Sequence, residues 1–290
     1  MPVVSGRELW QWRQDAIAAA SLAGVPTEEV DWLLMAVAGL DKLALRLNSY
    51  QERSHISILL PLAQLSRQWE QRLQDHFPVQ YVAGMVGWRQ FSLAVNPSVL
   101  IPRPETEYLI DLAVGANQEG NWADLGTGSG AIAIGLAAAL PSATIHAVDC
   151  SPEALATAQA NAHRLGFAHR IHFYLGSWCE PLSSLQGQLS GIAANPPYIP
   201  SAMVPQLQPE VAKHEPHLAL DGGVDGLDCI RQIVRVAPAY LKPGGVLLLE
   251  MMAGQASSVT ELLHCQGSYR QISIHSDLAG IERFACAIVC

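Results

Sequence analysis

The chain has 290 residues, half of them hydrophobic and 15% charged, a balance that excludes a disordered polymer and leaves room for a catalytic domain plus a smaller one. Its 26 acidic against 17 basic residues give a formal charge of -9, which disfavours long-range attraction to polyphosphate, so no direct nucleic-acid partner is expected. The six cysteines include no CxxC pair and none stands near a histidine at zinc-finger spacing, so they read as reduced thiols of a cytoplasmic protein without a metal site.

At the N-terminus, Arg7, Glu8, Arg13 and Asp15 interrupt the apolar core that a secretory signal needs, and no export signal is expected. The apolar runs at 131–140 and 246–252 fall short of the ~20 residues that span a bilayer, so no membrane segment is expected. Residues 1–77 read as a small helical domain. Ser5 with Glu8 forms a capping box for a first helix that Gly24 can close. A second helix follows Thr27, with Glu28, Glu29 and Asp31 suited to its positive end and the apolar run 32–40 as its buried part. A third carries Leu62, Leu65, Trp69 and Leu73 on one face.

Residues 78–104 change to short β-like pieces, YVAG, WRQFSLAV and VLIPRP, and read as a hairpin-bearing linker. From 105 to 290, strand and helix signals alternate. NWADLG precedes a helix from Ser129, TIHAVD a helix from Ser151, then come RIHFYLG, SGIAAN, a helix near 225–241 and GGVLLLE. This alternation predicts an α/β fold with a doubly wound, mostly parallel sheet, whose short apolar strands suit a sheet covered by helices on both faces.

In Asp124-Leu-Gly126-Thr127-Gly128-Ser129-Gly130, glycines close the first strand and open a helix, allowing a tight turn and close approach of a ligand to the backbone N–H groups. Asp149 ends the second strand and stands beside that turn in βαβ geometry, where it can accept both hydroxyls of a ribose. The pattern is also that of a dinucleotide site, so on its own it does not choose between a nicotinamide cofactor and S-adenosylmethionine.

The choice comes from Asn195-Pro196-Pro197-Tyr198 at the end of the fourth strand, beside the glycine turn. Two prolines remove two N–H donors and leave carbonyl oxygens and the Asn195 side-chain oxygen as acceptors. Acceptors can hold an NH₂ group whose lone pair is delocalised, orient it for in-line attack on a methyl sulfonium and stabilise the charge that develops on nitrogen. Tyr198 can lie against the flat face of the group. Asn195, Pro196 and Tyr198 are therefore the candidate catalytic residues, and Asn195, Pro196, Pro197 and Tyr198 the candidate substrate-binding set. A DNA or RNA base amino-methyltransferase would share these features, but it must capture or flip a base and usually carries a basic surface.

With these motifs on the chain, the sequence resembles the protein-(glutamine-N5) methyltransferases that modify the Gly-Gly-Gln loop of peptide-chain release factors. The resemblance covers nearly the whole chain, through IPRPETE (101–107), DLGTGSGAIAI (124–134), VDCSPEAL (148–155), NPPYIP (195–200), EPHLALDGGVDGL (215–227), GGVLLLE (244–250) and LAGIERFACA (278–287). It implies a Rossmann-like class I methyltransferase domain. It also implies S-adenosylmethionine as cofactor and S-adenosylhomocysteine as product, with Gly126, Thr127, Gly128, Ser129 and Gly130 at the methionine end, Asp149 at the ribose, and Trp178 and Asn195 completing the cofactor site. Trp178 would meet the adenine; a core aromatic is its other reading. Glu105 and Glu107 are read either at the site's mouth or as a solvated helix start. The helical domain would grip the body of a release factor. The stretch Glu250-Met-Met-Ala-Gly-Gln255 departs from the relatives' pattern, in which a glycine usually comes soon after the glutamate, and only a local packing effect is expected.

Overall fold

In the computed structural model, which describes residues 1–116 and 119–290, the chain divides into two units, Met1–Val86 with Gln208–His214 and Gly87–Leu207 with Glu215–Cys290. In the first, strand β1 (Val3–Val4) leads into α1 (Gly6–Ala23). The Glu8 N–H donates to Ser5 Oγ at 3.2 Å and the Ser5 N–H to Glu8 Oε2 at 3.0 Å, so two orphan donors of the first turn are satisfied reciprocally. Gly24 ends the helix in the left-handed region. Helix α2 (Glu28–Ala38) follows Thr27, whose side chain makes no capping bond; its first turn carries Glu28, Glu29 and Asp31 instead. A short helix α3 (Lys42–Leu47), absent from the sequence reading, is capped by Asp41, which accepts from the Ala44 N–H at 2.7 Å. Strand β2 (Ile56–Ser57) pairs with β1, and α4 (Leu62–Asp75) buries Leu65 and Trp69.

Helix α4 also buries Arg72, and this explains a difference from the sequence reading. A buried guanidinium must be paired. Arg72 forks onto Glu29 at 2.7 and 2.8 Å and donates to Glu210 at 2.9 Å, so residues 208–214, read as part of the stretch 105–290, join the helical unit. The YVAG piece, read as β-like, is instead the end of helix α5 (Val79–Ala83): Pro78 stands at its N-cap and Gly84 closes it in the left-handed region. WRQFSLAV does form a hairpin, β3 (Met85–Trp88) with β4 (Phe91–Ala94). VLIPRP is irregular, because Pro102 and Pro104 have no N–H to give a ladder.

In the second unit, a 3₁₀ turn at Glu105–Glu107 and α6 (Tyr108–Gly115) precede the alternating region. Strand β5 (Asn121–Leu125) leads through the glycine turn to α7 (Ala131–Ala139), which begins after Gly130 rather than at Ser129 because Gly130 is still left-handed. Then come β6 (Thr144–Asp149), α8 (Pro152–Arg164), β7 (Ile171–Leu175) and β8 (Leu189–Ala194). Helix α8 starts as Ser151 accepts from the Ala154 N–H and Pro152 takes the first turn. After α9 (Pro209–His214), which belongs to the first unit, follow α10 (Asp228–Val236), β9 (Leu241–Glu250), α11 (Ala256–Gln266), β10 (Tyr269–Ser276) and β11 (Glu282–Val289).

The seven strands order as β10-β11-β9-β8-β5-β6-β7; β5 to β9 are parallel, and β11 pairs antiparallel with β9 and β10. Successive strands run outward from β5 to β7, and the chain then returns to place β8 on the other side of β5. A crevice therefore opens between β5 and β8 at their carboxyl ends. The central strands are mostly apolar and buried, as double coverage favours: every residue of β8 is buried. Each fully buried Leu or Ile of this core, Ile192 and Leu249 among them, contributes about 1.5–3 kcal/mol. No described helix is long and apolar enough to cross a membrane.

Candidate active site

Leu125 pairs with Val148 on one side and Ala194 on the other, so the residues at the carboxyl ends of β5, β6 and β8 emerge side by side. They are the glycine turn, Asp149 and Asn195. They border a cavity of about 540 Å³, a size that admits a nucleoside-sized ligand. Gly126, Gly128, Asp149, Trp178, Asn195 and Pro197 line it, with apolar Val99, Leu100 and Leu218 and polar Ser98 and Ser151. The expected Thr127, Ser129, Gly130, Pro196 and Tyr198 do not line it.

Thr127, Ser129 and Gly130 instead fix the turn from behind. Thr127 donates to the buried Asp124 carboxylate at 2.6 Å, and the same oxygen accepts from the Ala133 N–H at 3.0 Å, tying the turn to the start of α7. Burial pushes the Asp124 carboxyl up to about 7. Its other oxygen is buried without a hydrogen-bond partner among the described residues. The Ser129 carbonyl accepts from Asn161 at 2.9 Å. At Gly130 a Cβ would stand 3.1 Å from that of Ala158 on α8, so the turn must be glycine for the two helices to approach.

The Asp149 carboxylate accepts from the Gly128 N–H at 2.8 Å and from the Ser151 N–H at 2.9 Å. These bonds fix both oxygens at the cavity wall and leave lone pairs for further donors. Trp178 has φ of +49°, an uncommon conformation for a bulky residue, and its indole N–H donates to Gln232 at 2.8 Å. Its ring approaches the position of a Gly126 Cβ to 3.7 Å, so the missing side chain opens the space between them.

Asn195-Pro196-Pro197-Tyr198 is braced by the segment after Glu215. The Ile199 N–H donates to the Leu220 carbonyl at 3.0 Å and the Gly222 N–H to the Ile199 carbonyl at 2.8 Å. A Cβ on Gly226 would collide with the Tyr198 carbonyl. Gln255 donates to that carbonyl at 3.1 Å and to the Gly226 carbonyl at 3.2 Å. Gln255 thereby ties two loops together. Glu215 is buried; Arg103 donates to it at 2.6 Å and the Ile101 N–H at 3.3 Å, joining the segments 101–107 and 215–227.

Four polar side chains that brace site residues escaped the sequence reading. Asn195 Nδ2 donates to Thr106 Oγ1 at 3.1 Å, and the Tyr198 hydroxyl donates to Glu250 Oε1 at 3.2 Å. Burial pushes the Glu250 carboxyl up to about 7, against the hydrogen bonds from Thr106 and Tyr198 and the positive charge of Arg283. Burial and the Glu250 charge raise the Tyr198 phenol well above its ordinary value, so it stays a hydroxyl. Gln232 and Gln255 are the other two. The signal for Thr106 and Glu250 was their place inside 101–107 and 244–250. Glu105 is exposed, and Glu107 accepts from the Arg89 N–H at 2.8 Å; neither lines the cavity.

Comparison with known proteins shows the family. The family described as "Methyltransferase domain" matches residues 117–270. A release factor glutamine methyltransferase of Synechocystis sp. is 50% identical, over 98% of this chain and 97% of the relative. Those of Thermosynechococcus vestitus and Gloeobacter violaceus are each 46% identical, over 96% and 94% of this chain and the same shares of the relatives. Among solved structures, the hMettl16 catalytic domain in complex with MAT2A 3'UTR hairpin 6 superposes with a TM-score of 0.54 over 81% of this chain and 84% of that one; at 13% identity it bears on the fold alone. With a switch-point cavity bordered by the glycine turn, Asp149 and Asn195, and with relatives that match it end to end, the chain belongs to the release factor glutamine methyltransferase family.

Proposed function

We propose that this protein transfers a methyl group from S-adenosylmethionine to the side-chain amide nitrogen of the glutamine in the Gly-Gly-Gln loop of a peptide-chain release factor. The observation that carries the reading is one cavity walled by Gly126, Gly128, Asp149 and Trp178 and also by Asn195 and Pro197. The residues fit the cofactor: the turn leaves room for the methionine end, Asp149 offers fixed acceptors to a ribose, and Trp178 offers a flat face to an adenine. When bound, S-adenosylmethionine supplies an electrophilic methyl group on a positively charged sulfur. Asn195 Oδ1 and a carbonyl of the Pro-Pro step accept from the two hydrogens of the glutamine amide, orient the nitrogen for in-line attack and favour the positive charge that develops there. Tyr198, outside the cavity lining, holds the loop through its hydroxyl bond to Glu250. The methylated nitrogen becomes acidic as transfer proceeds and sheds its proton to water.

The helical unit is assigned the docking of the release factor's body; Leu43 and Leu47, one turn apart on α3 and both more than 60% exposed, suit an apolar contact. Incubation of the purified chain with labelled S-adenosylmethionine and either a release factor or duplex DNA, followed by mass mapping, tests the activity. Label on the loop glutamine is expected. Label on a DNA base, or on another side chain, would overturn the reading.

A further inference from the structure

The proposed chemistry needs the oxygen end of the Asn195 amide in the cavity. An asparagine amide can turn through 180° about its last torsion, exchanging an acceptor for a donor while keeping nearly the same shape. Something must therefore choose its orientation. Beneath the loop, Thr106 is 4% exposed on the 3₁₀ turn Glu105–Glu107 and receives the Asn195 Nδ2–H at 3.1 Å.

A threonine hydroxyl has one proton. Here that proton is directed to the Glu250 carboxylate, which is 1% exposed and also accepts from the Tyr198 hydroxyl at 3.2 Å. With its proton committed, Thr106 Oγ1 offers only lone pairs to Asn195, and a lone pair matches Nδ2 but repels Oδ1. The Asn195 oxygen is then left for the cavity that Asn195 lines. Glu250 holds the loop at both ends of its motif, directly at Tyr198 and through Thr106 at Asn195.

We propose that Thr106, backed by Glu250, is a positioning residue that fixes which end of the Asn195 amide faces the substrate. This rests on the reading of Asn195 as the acceptor for the substrate amide. It assigns the segment 101–107 a part in the reaction: that segment supplies the hydroxyl that sets the polarity of the neighbouring loop.

Turnover of T106V, T106S, N195A and the double variant T106V/N195A, at saturating release factor and S-adenosylmethionine, tests the proposal beside calorimetric cofactor affinity. T106V should lower kcat about tenfold or more while the cofactor Kd changes by less than about twofold, because the lost interaction acts on the reacting amide. T106S keeps the hydroxyl and should stay within about threefold of wild type. In the N195A background, T106V should have no further effect on kcat, since a residue acting through Asn195 has nothing left to orient. If N195A is inactive but T106V turns over within about twofold of wild type, the positioning role is wrong and the proposed function stands. If the two losses multiply in the double variant, Thr106 acts independently of Asn195 and the proposal fails. If N195A itself turns over normally, the acceptor reading fails and this inference with it. Should T106V not fold, T106A against T106S supplies the same comparison and is read by the same criteria.

Discussion

Glu250 offers a measurable test of the polar group beneath the loop. Burial is the main cause that raises its carboxyl to about 7 from an ordinary 4.5, with the Glu105 charge adding, and the Thr106 and Tyr198 hydroxyls and Arg283 opposing. Between pH 4.5 and 7 the folded chain thus holds a proton that the unfolded chain has released. Stability contributed by this group therefore falls as pH rises through that window and levels off above about pH 7. The gap corresponds to about 3 kcal/mol, taking 1.36 kcal/mol for each pH unit. Glutamine is close in shape to the protonated acid, so E250Q should match wild type near pH 5 and become more stable by up to about 3 kcal/mol near pH 8.5. Urea unfolding of both proteins at a series of pH values measures the difference directly. Parallel stability curves across that range would show that Glu250 does not carry the proton, and that the burial argument is mistaken.

Asp149→Ala removes the acceptor of two backbone N–H groups and of the proposed ribose hydroxyls; S-adenosylmethionine binding should weaken by about 1–3 kcal/mol in calorimetry, and an unchanged affinity in a folded variant would remove Asp149 from that role. Asn195→Ala should lower kcat by about 10²-fold or more with a smaller change in cofactor affinity, whereas turnover within about threefold of wild type would refute the acceptor mechanism. Arg72→Ala leaves Glu29 and Glu210 without their shared cation and should lower stability by about 3 kcal/mol in urea unfolding; a loss below about 0.5 kcal/mol would mean the triad contributes little to the helical unit. L43E/L47E should raise the KM for intact release factor while leaving turnover of a short Gly-Gly-Gln peptide unchanged, and an equal loss on both substrates would argue against docking through α3.

Much of this protein is decided locally, and those parts were legible in the sequence. The capping box of Ser5 and Glu8 satisfies donors within one turn, so it needs no distant partner. The strand pieces ending at Leu125, Asp149 and Ala194 are short, mostly apolar runs that alternate with helix signals, a pattern that points to a covered parallel sheet. A parallel sheet in turn places its ligands at the carboxyl ends, so the glycine turn, Asp149 and Asn195 could be assembled on paper. YVAG failed because four residues with a glycine suit a strand end and a helix end equally, and Pro78 decided for the helix. What only the tertiary structure decided is the pairing of buried polar groups far apart in the chain. Arg72 finds Glu210 across 138 positions, Glu215 finds Arg103 across 112, and Asn195 finds Thr106 across 89. No local pattern records such partners, because the need of a buried charge or amide for a counterpart is set by its burial, and burial exists only once the chain has folded.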